Sequence, residues 1–113
     1  MMRYKTLDVY RCSIEFLAIA WKIVEKMPRG HGDLSNQLKR ASTSIPLNIA
    51  EGSGRSTPAD CARHYAISRG SAMECSAILD VMRVLKTADP GELEKGQEFL
   101  HRVVSMLTKM GSQ

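Results

Sequence analysis

Long apolar runs are missing from this chain. No stretch approaches the roughly eighteen uninterrupted apolar residues that a membrane-spanning helix needs. The opening segment, Met1 to Asp8, is polar and mixed in charge, unlike a secretory leader. Aromatic residues are scarce at 5%, so aliphatic side chains and seven methionines must fill any core, which suits helices packed on helices better than a sheet sandwich. Cysteine is present only as Cys12, Cys61 and Cys75, an odd number without a CxxC pair. That argues against a disulfide framework and for a reducing compartment, so a cytoplasmic location is expected.

Metal and cofactor signatures are equally thin. His31, His64 and His101 are scattered, and the three-residue step from Cys61 to His64 reads as chance surface. Asp80, Glu92, Glu94 and Glu98 do not supply the two convergent Glu-x-x-His motifs of a di-metal bundle. No Walker loop or dinucleotide fingerprint occurs. Gly52-Ser53-Gly54-Arg55 is glycine-rich, but it follows a helical pattern rather than a strand and reads as a helix terminator. No cofactor is expected, and nothing points to an enzyme.

What is present is helical periodicity. The 113 residues fit one domain, with ordinary apolar (43%) and charged (25%) fractions. Leu7, Tyr10, Ile14, Leu17, Trp21 and Val24 recur at three- and four-residue steps. Val9, Phe16, Ala20, Ile23 and Met27 form a second stripe beside them. Two stripes predict either a deeply buried helix or one that also packs against another subunit. After Pro28, Gly30 and Gly32, a second helix is expected from the N-cap Asp33, with Leu34, Leu38, Ala41, Ile45 and Ile49 facing inward. Pro46 should kink it, with the hydroxyls of Ser42, Thr43 and Ser44 covering the freed carbonyl. Gly52 and Gly54 should end it. A third helix opens at Thr57-Pro58-Ala59-Asp60, and its expected inner face is Ile67, Gly70, Glu74, Ile78, Val81 and Leu85. A fourth opens at Asp89-Pro90-Gly91-Glu92 and carries Leu93, Leu100, Val103, Leu107 and Met110, before a frayed tail Gly111-Ser112-Gln113. Short connections predict an all-α, antiparallel up-down-up-down four-helix bundle.

The second helix also carries an orderly polar stripe: Gln37, Arg40, Ser44, Asn48, Glu51 and Arg55. Solvated faces are usually rich in Lys and Glu. Gln, Ser, Asn and Arg suit a partly buried hydrogen-bond network. The third helix offers Arg69, Gly70, Ser71 and Glu74 as a counterpart. A buried Glu74 needs a donor, with Arg40, Asn48 and Arg69 as candidates. Gly70 would allow close approach of another backbone. A register-fixing network, a partner-binding surface and a catalytic site all remain open at this level.

The net charge is +4 with an isoelectric point near 9.2, which permits nucleic-acid or acidic partners. Between Arg29 and Arg69 six basic residues face three acids. Arg29, Lys39, Arg55 and Arg63 are the candidate phosphate contacts there. Aromatic interleaving is absent from that stretch, where Tyr65 stands alone.

Asp33 to Ala41, and then Ser44-Ile45-Pro46-Leu47-Asn48-Ile49-Ala50-Glu51-Gly52-Ser53-Gly54-Arg55, resemble the hallmark of the bacterial 23S ribosomal RNA intervening-sequence protein family. Ile67 to Glu74 is similar to that family's third-helix motif, with Ser68 where alanine is usual and Cys75 where an apolar residue is common. The resemblance implies an antiparallel four-helix subunit in a ring-like homo-oligomer, a pentamer around a central channel. It also implies kinship with accessory proteins of diversity-generating retroelements, which bind nucleic acid and a reverse transcriptase through a basic surface. The combined expectation is a non-enzymatic oligomer that contacts RNA or DNA, with a protein-interaction scaffold as the alternative.

Overall fold

The computed structural model describes residues 1–111. A 3-10 turn (Arg3–Thr6) precedes α1 (Asp8–Glu25), α2 (Gly32–Ser53), α3 (Pro58–Leu85) and α4 (Pro90–Gly111). No strand occurs among the described residues. The expected frayed tail falls outside them at Ser112 and Gln113, and Gly111 closes α4.

Side-chain caps open α3 and α4. The Asp60 amide donates to the Thr57 hydroxyl at 3.2 Å, and Pro58 occupies the first turn, where a missing N–H costs nothing. At α4 the Glu92 amide donates to the Asp89 carboxylate at 3.0 Å. The second helix differs from expectation. It begins at Gly32, so Asp33 is not its cap but sits in the first turn, where a carboxylate complements the helix dipole. Its other end runs to Ser53, placing Gly52 inside the helix. Pro46, where the kink is expected, lies inside this helix and is buried. The hydroxyls of Ser42 and Thr43 donate to the Lys39 carbonyl, at 3.2 and 2.7 Å, instead of covering the carbonyl of Ser42. A hydroxyl in a helix reaches the carbonyl three or four residues back, not its own.

Cross-helix contacts run in opposite senses along every neighbouring pair. Ser71 meets Ser44 while His64 meets Asn48. Arg69 meets Thr108 while Ser76 meets Gln97. Cys12 meets Phe99 while Lys26 meets Glu92. Lys39 lies over Trp21 while Ser35 reaches Met27. The helices are therefore antiparallel, and α4 closes back onto α1 while neither diagonal pair makes backbone contact. The molecule measures 44 × 22 × 20 Å, its long axis matching the roughly 42 Å expected of the 28-residue α3. No described helix is long and apolar enough to cross a membrane.

One core joins all four helices: Phe16 and Ile23 from α1, Leu38, Ile45 and Ile49 from α2, Leu79 and Met82 from α3, and Leu100, Val103 and Leu107 from α4. On α1 the Val9–Phe16–Ala20–Ile23 stripe faces inward, and Ile14 and Trp21 of the other stripe remain exposed. Helix α3 is turned away from its expected orientation. It buries His64, Ser68, Ala72, Cys75, Ile78, Leu79 and Met82, and leaves Ile67, Glu74, Val81 and Leu85 exposed. Apolar residues occur on more than one side of this helix, so periodicity did not select a face. The partners available on α2 did.

Candidate functional site

A polar seam runs between α2 and α3. The Asn48 amide nitrogen donates to the Ser44 carbonyl and approaches the Ser44 hydroxyl, both at 3.0 Å. A carbonyl only accepts, so this orients the amide and turns its Oδ1 toward His64 Nδ1, 3.2 Å away. Nδ1 therefore carries the proton, and in the neutral ring Nε2 accepts from the Arg63 guanidinium at 3.2 Å. His64 is only 5% exposed. The Ser71 hydroxyl donates to the Ser44 hydroxyl at 2.9 Å, and the fully buried Ser68 donates to the Ile45 carbonyl at 2.9 Å. The helices approach closely at Gly52, where an added Cβ would sit 2.8 Å from Tyr65 Cε1 and 3.0 Å from His64 Cβ.

The expected network residues separate into three groups. Ser44 and Asn48 lie in the seam. Glu51 pairs with Arg55 on the exposed end of α2, and Arg69 turns away to donate to Thr108 on α4 at 2.8 Å. Gln37, Arg40 and Glu74 are exposed and make no hydrogen bond or ion pair among the described residues. The Arg40–Glu74 lock is thus absent, because the rotation of α3 carries Glu74 to solvent. Gly70 has open space around it, so the close approach is at Gly52 instead. His64, read as surface, and Ser68 are the residues the spacing argument missed. With Ala72 and Cys75 they form a stripe at four-, four- and three-residue steps of small and polar residues, the usable signal for a face that packs against backbone.

The four candidate phosphate contacts do not form one surface. Arg29 lies in the α1–α2 connection, while Arg55 and Arg63 flank the α2–α3 connection. The 22-residue α2 separates those ends by about 33 Å. Lys39 lies within α2, its ammonium 6.0 Å from the Trp21 ring centre.

The fold instead sorts charge along the bundle axis. The half containing the N-terminal turn and the α2–α3 connection carries eight basic residues: Arg3, Lys5, Arg11, Arg55, Arg63, Arg69, Arg102 and Lys109. It carries four acids: Asp8, Glu15, Glu51 and Asp60. The other half holds eight of each sign, so the whole excess of +4 lies at the first end.

The outer face of α3 is apolar, with Ile67, Met73, Val81, Val84 and Leu85 exposed and Val84 75% so. Ile14 and Trp21 form a second outward patch on α1, diagonally across the bundle, and Leu47 of α2 is 61% exposed.

Burial pushes the Cys75 thiol up to about 12, with Glu74 adding to the shift. It also raises Cys12, where Arg102 opposes the effect. Both remain protonated thiols at neutral pH. An open cleft of about 400 Å³ between α1 and α4 gathers Asp8, Arg11, Glu15, His101 and Arg102. No two of these side chains hydrogen-bond to each other among the described residues, so no base is positioned against a nucleophile there. No group of three His, Cys, Asp or Glu residues could hold a metal ion among the described residues.

A search of curated proteins returns no match. The family model of the 23S rRNA-intervening sequence protein matches residues 5–109, which span all four helices. With the antiparallel bundle, and with the Ser44–Arg55 motif divided between the seam and the basic end, the chain belongs to the 23S rRNA-intervening sequence protein family.

Proposed function

We propose that this protein is a non-enzymatic, cytoplasmic, homo-oligomeric helical bundle that contacts RNA or DNA through its basic end. The observation that carries the reading is the concentration of the entire positive excess in one half of the molecule. A phosphodiester chain lying there releases condensed counterions, so its binding weakens steeply with salt. Arg55 and Arg63 belong to this surface. Arg29 and Lys39 lie too far along the bundle to share it.

The oligomer reading rests on the two outward apolar patches. A single self-complementary patch makes a two-fold dimer. Two different patches on opposite sides join head to tail, and such a contact makes a ring when the rotation between neighbours closes and an open filament when it does not. The pentamer implied by the family resemblance is such a ring. In the scaffold alternative the exposed face of α3 takes a protein partner, a reverse transcriptase by the same resemblance, and nucleic acid plays no part.

Filter binding of the folded protein to RNA and DNA at two salt concentrations tests the first claim. Salt-sensitive binding that is lost in the Arg55→Glu/Arg63→Glu double variant is expected. Absent or salt-insensitive binding overturns it and favours the scaffold. Light scattering on a sizing column tests the second claim: a mass near five times 12.6 kDa supports the pentamer, and a 12.6 kDa monomer removes the ring.

A further inference from the structure

Sequence order scatters the tyrosines, but the fold gathers all three, Tyr4, Tyr10 and Tyr65, at the basic end. Tyr4 and Tyr10 meet edge to face, with ring centres 4.8 Å apart. Tyr65 rests against Gly52, and Arg3 lies within electrostatic reach of its phenol. The N-terminal turn packs against both α1 and α2, which sets Arg3 and Lys5 beside these rings. Arg11 donates to the Lys5 carbonyl at 3.2 Å, so its guanidinium is held at the same place. Arg3, Lys5 and Arg11 make no ion pair among the described residues, leaving their charge available to a ligand.

Cations interleaved with half-exposed aromatic rings suit a flexible strand better than a duplex. A duplex hides its base faces in the stack and presents only phosphate. A single strand offers phosphate and base faces together, and each base stacked on an aromatic ring adds about 1–3 kcal/mol. Tyr10 and Tyr65 pack against the core, whereas Tyr4 stands outside it, so Tyr4 is the ring free to take a base.

We infer that the basic end is a binding site for single-stranded nucleic acid, with Tyr4 as the stacking platform and Arg3, Lys5 and Arg11 holding the adjoining phosphates. The inference rests on the reading that this end contacts nucleic acid and specifies the form it takes. Stacking and charge read no sugar, so RNA and DNA strands bind alike.

Fluorescence anisotropy of the full chain with labelled oligo(U), oligo(dT) and a duplex of equal length tests it. Both single strands should bind about tenfold tighter than the duplex. Tyr4→Ala and Tyr4→Leu should each weaken single-strand binding by about tenfold and leave duplex binding unchanged, while Tyr4→Phe retains parental affinity. Because Tyr4 lies outside the core, circular dichroism should show all three variants folded. Equal affinity for strand and duplex, or unchanged strand affinity in both Tyr4→Ala and Tyr4→Leu, overturns the single-strand inference while leaving the basic end as a nucleic-acid surface. Failure to bind any of the three probes overturns both.

Discussion

Asn48 Oδ1 lies 3.2 Å from His64 Nδ1, and this contact joins α2 to α3 through two side chains sixteen residues apart. Each is oriented by a further partner, Ser44 for the amide and Arg63 for the ring.

Truncating Asn48 leaves a nearly buried imidazole N–H without its acceptor. Asn48→Ala should therefore destabilise the bundle by about 1–3 kcal/mol. Arg40→Ala and Glu74→Ala, which remove exposed and unpaired side chains, should fall within about 0.5 kcal/mol of the parent. Urea unfolding of the three variants checks both statements. A large loss at Arg40 or Glu74, with none at Asn48, would place the lock elsewhere.

Two glycines should respond in opposite directions. At Gly52 a methyl group meets the Tyr65 ring and the His64 Cβ, so Gly52→Ala should cost about 1–3 kcal/mol despite its better helix propensity. At Gly70 the methyl group meets nothing, and Gly70→Ala should gain about 1 kcal/mol in thermal melts of dilute protein.

Lys86 closes α3 in the left-handed region, with φ 57° and ψ 41°. The amides of Lys86 and Thr87 donate to the carbonyls of Arg83 and Met82. A side chain there carries a conformational cost of about 1 kcal/mol that glycine lacks. Lys86→Gly should accordingly raise the melting temperature, and an unchanged or lower value would show that the lysine stem compensates through packing.

The cysteines should divide by burial. Cys61 is half-buried while Cys12 and Cys75 are buried, so a thiol reagent should modify one cysteine in the folded chain and all three after denaturation. Cys75 also makes stability depend on alkaline pH. Its folded value of about 12 exceeds the ordinary 9.0, so the folded state keeps a proton that the unfolded state releases. This contribution is complete below pH 9 and is lost between 9 and 12, at up to about 1.4 kcal/mol per pH unit. Burial shifts Cys12 and Tyr65 in the same direction and gives their contributions the same sign. Cys75→Ala should show a flatter decline than the parent over that range, whatever its stability at neutral pH.

The amino-acid sequence by itself determined the all-helical class, the helix count, the Thr57 and Asp89 caps, the inward faces of α2 and α4, and the family motif. These follow from interactions within a few residues of one another or from a regular period, both visible along the chain. Which way α3 turns, that His64 is buried, that Gly52 rather than Gly70 permits close approach, and that Arg40 and Glu74 stay apart were decided only by tertiary structure. The face α3 buries depends on what α2 presents: the Ile45 carbonyl accepts from Ser68, and Asn48 meets His64. The gathering of charge and tyrosine at one end has the same origin. Antiparallel folding brings residues near 3, 55, 65 and 102 to one end of a 44 Å bundle, although no two of those positions are neighbours in the chain.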